Sequence, residues 1–397
     1  MISRRLPRLS LSAAALALAV PALLAPAPPT APGSPRPPAA PSSVQRDADA
    51  LRDTGVTGVA VRLETPSGVV TARSGVGDLD SRRPVPVHGH LRLGSITKTF
   101  VATVVLQLVG EGRLSPDRTV EHLLPGTVTG NGNDGRTITV RDLLRHTSGL
   151  YDYTEDLYSG SGAEGYFAHR WRTYRPEQQV AMAMRHPPAF AAGTGWEYSN
   201  TNYVLAGMII EKVTGRPWEH EVRDRVLRPL GLRHTDIPGA RPFLPRPHAA
   251  NHQQFVPDGP MVDTTVAYLP FDTGPDGTMT GTHRDLGRFF AALAAGRLLD
   301  PDEWAMMRDM VPVPPDSDHP AGTRAGPGLF WTPLSCGGGY LGHGGSGFGY
   351  LARAATTTDG RRTVTVSVHS RPGDRRTAER QEAALRALID RALCRAE

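Results

Sequence analysis

A serine three residues ahead of a lysine, Ser95 and Lys98 in "LGSITKTF", is the first pair in this sequence able to do chemistry. Residues three apart on a helix share a face, which brings an ammonium within hydrogen-bond reach of a hydroxyl. Serine is a weak nucleophile at neutral pH and needs a neighbouring base. Lysine can serve once burial or nearby cations lower its pKa, whereas arginine keeps its proton in proteins. Only two of the 44 Lys and Arg residues are lysine, Lys98 and Lys212, leaving 42 arginines. A chain that uses arginine almost wherever positive charge suffices has kept a titratable amine beside Ser95.

Two more groupings stand out. "WEYSN" holds the chain's only Tyr-x-Asn, Tyr198 and Asn200, and "LGHGGSGFGY" its only His-x-Gly, His343 to Gly345. Singly each has a plain structural reading: a packed aromatic, a helix cap, glycines that let strands approach. Together they offer a phenol able to carry protons, an amide, and a backbone segment open to close contact.

These groups need elements to hold them. The run from Ser95 to Val109 is apolar almost all round, which predicts a buried helix with Ser95 and Lys98 in its first turn. Before it, a short helix is expected from about Ser43 to Arg52, then strands over "TGVAVRLE" and "VVTARSG" across the turn Thr65-Pro66-Ser67-Gly68. The middle reads as helices: one from Thr139 stopping at Gly149, one opening at Pro176, one ending at Gly215, one opening at Pro217, and one capped by Thr282 with Asp285 three on. After Gly326 the pattern changes to strands: around Phe330, around Leu341, from Gly347 to Thr356, and from Thr363 to Val368. The last two are joined through Asp359-Gly360. A final helix carries Ala384, Leu385, Leu388 and Ile389.

The fold class expected is α/β of the α+β kind: an antiparallel sheet built from both ends of the chain, flanked by N- and C-terminal helices, with a helical subdomain inserted. The sheet part would take about 45–93 and 326–397, and the helical part about 94–325.

The chain has 397 residues, 39% hydrophobic and 21% charged, with 43 Gly, 36 Pro and a net charge of +5. Its arginines are scattered among Asp and Glu with no basic stripe beside aromatics, so nucleic acid is not an expected partner. Residues 1–31 read as a secretory signal: Arg4, Arg5 and Arg8, then "LSLSAAALALAVPALLA", then small residues suited to cleavage. Residues 32–44 read as a proline-rich spacer. The expectation is an extracellular, cell-wall location with no membrane insertion after cleavage. In such a compartment Cys336 and Cys394 can pair, or they can remain two thiols.

Other chemistries fit less well. His220-Glu221 opens a zinc-protease pattern, but Asp224 stands where the second histidine belongs. His88 to His90 has no partner cluster. No G-x-S-x-G occurs, and no helix follows the glycines at 337–349 to make a nucleotide loop.

The three motifs, in this order and separation, resemble those of the penicillin-recognising serine hydrolases. "TVRDLLRHTSGLYDYTED", "YSNTNYVLAGMIIEKVTG" and "LSCGGGYLGHGGSGFGY" narrow the resemblance to the soluble, secreted D-alanyl-D-alanine carboxypeptidases related to class C β-lactamases, over nearly everything from about residue 45. The resemblance implies their fold and a Cys336–Cys394 disulfide. It implies Ser95 as nucleophile, Lys98 as its base and Tyr198 as proton carrier to the leaving amine. Asn200 would bind the substrate's side-chain amide, and His343 would line the cleft with Gly345 and Ser346. The backbone N–H groups of Ser95 and Ser346 would form an oxyanion hole. Its implied partners are peptidoglycan stem peptides or similar acyl-D-amino-acid substrates and β-lactam inhibitors, acting on a monomer with no cofactor and no metal. Two positions depart from the pattern. Gly344 replaces an expected hydroxyl and Phe330 an expected arginine, both groups that hold a substrate carboxylate; Arg353 is a candidate substitute. The alternatives are an esterase, a D-amino-acid peptidase or amidase, or a β-lactamase using the same machinery, and, from another class, an inactive module that binds wall peptides.

Overall fold

Strands from the two ends of the chain pair with each other and make the frame of the protein. The computed structural model describes residues 42–158, 162–315 and 319–394. The secretory signal and nearly all of the expected spacer lie outside the described residues. The strands of the main sheet are β1 (Gly58–Thr65), β2 (Gly68–Gly75), β3 (Val311–Pro312), β4 (Arg324–Gly326), β5 (Leu329–Pro333), β6 (Gly339–Gly347), β7 (Tyr350–Thr357) and β8 (Thr363–Val368). They form one antiparallel sheet in the order β2-β1-β8-β7-β6-β5-β4-β3. The β1–β8 pairing, Val59 opposite Val368 to Glu64 opposite Thr363, joins the two ends as the alternation of apolar residues requires.

The helices that matter to the site are α1 (Ser43–Arg52), α2 (Thr97–Gly110), α3 (Val140–Arg145), α4 (Thr201–Thr214), α5 (His283–Ala294) and α6 (Arg375–Cys394). Helices α1 and α6 cover one face of the sheet, where Val44 and Leu51 join Val61, Val366, Leu385 and Leu388 in one core. An Arg391–Asp47 ion pair of 2.8 Å links the two helices. A Cys336–Cys394 disulfide, Cα atoms 5.7 Å apart, ties the end of α6 to the segment before β6. The other face belongs to the larger core, in which Leu341, Ala352 and Ala354 lie with α2, α4 and α5. There the rings of Phe100 and Phe289 stack at 3.7 Å. Each buried phenyl contributes about 1.5–3 kcal/mol. Helix α5 starts where the sequence places it, with the Thr282 hydroxyl accepting from the Asp285 backbone N–H.

Beneath β8, a buried polar chain joins α5 to the sheet. The Asn251 Oδ1 can only accept, so His369 Nδ1 donates to it, at 3.1 Å. His369 Nε2 then accepts from the Ser367 hydroxyl at 3.0 Å, Ser367 accepts from His283 Nε2 at 3.1 Å, and His283 Nδ1 accepts from Thr365 at 3.0 Å. With both imidazoles neutral, every hydrogen of this chain serves one bond. Burial holds His283 down to about 4 and His369 down to about 3.

Three boundaries differ from the sequence reading. Ser95 lies on a 3₁₀ turn, Gly94–Ile96, that leads into α2, and is not in the α-helix itself. Helix α3 ends at Arg145 and not at Gly149, because His146 takes a left-handed conformation at φ 61°. Strand β6 runs on through Gly347, which pairs with Tyr350 across a two-residue turn, so the strand expected from Gly347 begins at Tyr350. In addition, β3 and most of β4 come from the segment assigned to the helical part.

Candidate active site

The site forms where the Ser95 turn, the start of α4 and the free edge of β6 meet. Lys98, in the first turn of α2, is completely buried. Its Nζ lies 3.0 Å from Ser95 Oγ, 2.7 Å from Asn200 Oδ1 and 2.6 Å from the Asp276 backbone carbonyl. The last two atoms can only accept. They fix two corners of the nitrogen, so the third corner, whether N–H or lone pair, faces Ser95. Burial lowers the Lys98 amine to about 8, against the opposing pull of the Asp276 and Asp152 carboxylates. Burial also lifts the Asp276 carboxyl to about 6, with Lys98 pulling the other way and Tyr153 donating to its Oδ2 at 2.9 Å.

Asn200 is the N-cap residue of α4. Its Nδ2 donates to Asp152 Oδ2 at 2.8 Å and its backbone N–H to the same oxygen at 3.1 Å. That contact decides which way the amide points and turns its oxygen to Lys98. The residue expected to meet the substrate's amide is therefore engaged on both sides within the protein. Tyr198, two residues earlier, stacks on the His146 ring at 4.3 Å, and Lys98 Nζ lies 5.0 Å from its ring centroid. Burial raises the phenol well above its ordinary pKa, partly offset by a hydrogen bond with Ser95. The group is a neutral phenol in the resting protein.

Strand β6 passes the Ser95 turn at backbone contact. A Cβ on Gly345 would fall 1.9 Å from the Leu93 carbonyl oxygen and 3.1 Å from Ser95 N. One on Gly94, which has φ +52°, would lie 2.9 Å from Ser346 N. Glycine at both places lets the backbones of the Ser95 turn and of β6 come into contact. Pairing with β5 stops at Phe330 opposite Gly342, so the β6 edge from His343 to Gly347 has β7 on one side and the cleft on the other. His343 Nδ1 donates to the Gly344 carbonyl at 2.6 Å, and burial pushes the ring down to about 3, so it is neutral.

These groups open on a cleft of about 300 Å³, lined by Ser95, Tyr198, Phe330, His343, Ser346 and Arg353 among others. The structure thus gathers Ser95, Lys98, Tyr198, Asn200, His343, Gly345 and Ser346 in one place. Cys336 and Cys394 lie apart, as a bonded pair. Sequence reasoning missed His146, Asp152 and Asp276. The first two sit inside "RHTSGLYDYTED", a stretch that carries the family likeness without naming their work. Asp276 holds Lys98 through a backbone atom that any residue type would supply.

A sheet closed from both ends, a helical side, and a buried Ser-x-x-Lys turn against Tyr-x-Asn and His-x-Gly define a serine hydrolase of the β-lactamase and transpeptidase type. The chain belongs to the β-lactamase family, whose pattern matches residues 44–388. It is similar to penicillin-binding protein 4 of Amycolatopsis lactamdurans, 30% identical over 276 residues, which are 67% of this chain and 69% of that one. Among solved structures it is similar to a D-stereospecific amidohydrolase from a Streptomyces species, with TM-score 0.79 and 38% identity over 89% of this chain and 98% of the other. The D-amino acid amidase of Ochrobactrum anthropi is also similar, with TM-score 0.74 and 26% identity over 87% and 99%.

Proposed function

We propose that this protein is an exported serine amidohydrolase that cleaves the amide or peptide bond following a D-amino acid residue, through an acyl-enzyme at Ser95. The observation that carries the reading is the Lys98 nitrogen, held by two carbonyl oxygens with its third corner 3.0 Å from Ser95 Oγ. In the neutral form its lone pair faces the hydroxyl. Lys98 takes the Ser95 proton as Oγ bonds to the substrate carbonyl carbon, and the oxygen of that carbonyl becomes an oxyanion between the Ser95 and Ser346 N–H groups. Each such donor contributes about 3–4 kcal/mol. When the C–N bond breaks, the Tyr198 phenol gives its proton to the leaving nitrogen and regains one from the Lys98 ammonium. Water then attacks the ester by the same relay in reverse.

The D-configuration is supported by the similarity to a D-stereospecific amidohydrolase and a D-amino acid amidase. The penicillin-binding relative supports acylation of the same serine by β-lactams. An exported location is in keeping with the Cys336–Cys394 disulfide, a bond that persists in oxidising compartments. The open β6 edge favours an extended peptide as substrate, since its backbone can pair there as an added strand. Release of the last D-residue from a peptidoglycan stem peptide is the narrower form of this reading.

Incubation with benzylpenicillin should add one penicilloyl mass at Ser95, and D-phenylalanine amide should be hydrolysed well ahead of its L-enantiomer. Neither adduct nor D-selective turnover in the folded protein would refute the proposal.

A further inference from the structure

A second cavity, of about 420 Å³, lies away from the cleft, where the C-terminal end of α2 meets a π-helical turn, Arg223–Leu227, and the short helix Pro301–Met307. Turns of that kind are rare and recur at functional sites. Two residues of the cavity wall carry buried acceptor atoms with no donor among the described residues. Glu303 is only 9% exposed, and nothing donates to its Oε2. Gln107 Nε2 donates to the Leu298 carbonyl at 2.9 Å. That carbonyl can only accept, so the amide cannot turn over, and Gln107 Oε1 is the buried atom left over.

Burying an ionised carboxylate without a partner costs far more than burying a neutral polar group. The one cation of the cavity wall does not relieve Glu303. Arg225 turns both Nη atoms to Glu111 and donates from Nε to Glu221 at 2.6 Å. Asp300 adds a further carboxylate to the lining. Room for the Glu303 head group is made by Gly110, in the last turn of α2. A Cβ there would fall 2.5 Å from Glu303 Oε1 and 2.7 Å from its Cδ. Gly110 is not among the glycines of positive φ, so its backbone would accept alanine, which a helix favours. The space taken by the carboxylate accounts for the residue type.

We infer that this cavity binds a primary alkylammonium ion. None of its residues lines the Ser95 cleft, so the assignment stands apart from the acyl-enzyme reading. The ammonium supplies N–H donors to Glu303 and to Gln107 Oε1. Its charge meets the negative end of α2. Leu298 and Leu299, both buried and both in the lining, give its carbon chain an apolar wall. A bare metal ion fits less well. Among the described residues no group of three or more Asp, Glu, His or Cys could hold one, and the cavity is far larger than an ion needs.

The test is titration calorimetry and thermal melting of the full chain with n-butylammonium chloride near neutral pH, against sodium and potassium chloride of equal ionic strength. The wild-type protein should bind one butylammonium saturably and melt about 2–4 °C higher when saturated. Glu303→Gln should abolish both effects. With no unpaired charge to bury, that variant should also melt above the wild type in the absence of amine. Gly110→Ala should push the flexible Glu303 head group aside, leave the helix intact by circular dichroism, and weaken binding by roughly 10- to 100-fold, the span of a hydrogen bond to a charged group. A wild-type protein that shows no saturable binding overturns the assignment without recourse to any variant. Binding that persists in both variants places the amine elsewhere and overturns it too. An equal shift with potassium chloride would mean that a bare cation fills the cavity, and the alkyl amine would then be the wrong ligand.

Discussion

Replacing Lys98 by arginine separates charge from titration at the place where the proposed mechanism depends on the difference. With the amine near 8, roughly one molecule in ten carries it neutral at pH 7. A guanidinium, with a pKa above 12, leaves fewer than about one in 10⁵. The base-competent population falls by a factor on the order of 10⁴, equivalent to about 5–6 kcal/mol of barrier at 1.36 kcal/mol per tenfold. The Asn200 and Asp276 acceptors stay satisfied, because arginine also donates to them. Since Lys98 has no exposed surface, the larger head group also strains its cavity. Lys98→Met, which fills the space without a base, is the companion variant. The assay is the second-order rate of Ser95 acylation by a fluorescent penicillin, with circular dichroism melts to show that both variants fold. In the wild type this rate should rise about tenfold per pH unit below the Lys98 pKa and level off near pH 8. A folded Lys98→Arg protein acylated within about tenfold of the wild-type rate, or a wild-type profile flat from pH 6 to 9, would refute the lysine as base.

Gly345→Ala places a methyl 1.9 Å from the Leu93 carbonyl oxygen and must push β6 away from Ser95. Loss of one oxyanion donor alone should lower acylation by roughly 10²–10³, and retained acylation would show that the two N–H groups do not act together. The buried histidines make stability dependent on acid. His283 near 4 and His369 near 3 bind protons more readily unfolded, where 6.5 is the ordinary value. Their contribution is complete above about pH 6.5 and is lost as pH falls towards 4, at about 1.4 kcal/mol per pH unit for each ring. Urea unfolding midpoints across this range should fall accordingly, and His283→Gln should flatten the slope; a midpoint independent of pH between 6.5 and 4 would contradict the neutral network.

Local chemistry could be read directly from the chain. The Ser-x-x-Lys spacing is set by helical geometry, and the alternation in "TGVAVRLE" and in Thr363 to Val368 fixes both strands and their faces. Thr282 and Asp285 announce α5 because a cap is a contact between near neighbours. The rest depends on residues far apart. Nothing near Asn200 indicates that Asp152 will set the orientation of its amide. The hold on Lys98 by the Asp276 carbonyl leaves no trace in residue type. The pairing of Gly344 with Arg353 follows from the two-residue turn after Gly347, a position the sequence marks only as glycine-rich. His146 shortens α3 by adopting a left-handed conformation that periodicity alone would not assign to histidine.

The β1–β8 pairing has a consequence for the order in which the molecule becomes able to react. Ser95 and Lys98 are made early in synthesis, whereas the backbone donor of Ser346 and the strand closing the sheet on β1 come near its end. Contacts so distant in sequence form late and together. If the proposed mechanism holds, a chain cut before β6 would keep Ser95 and Lys98 but lose the backbone donor that the mechanism places at Ser346.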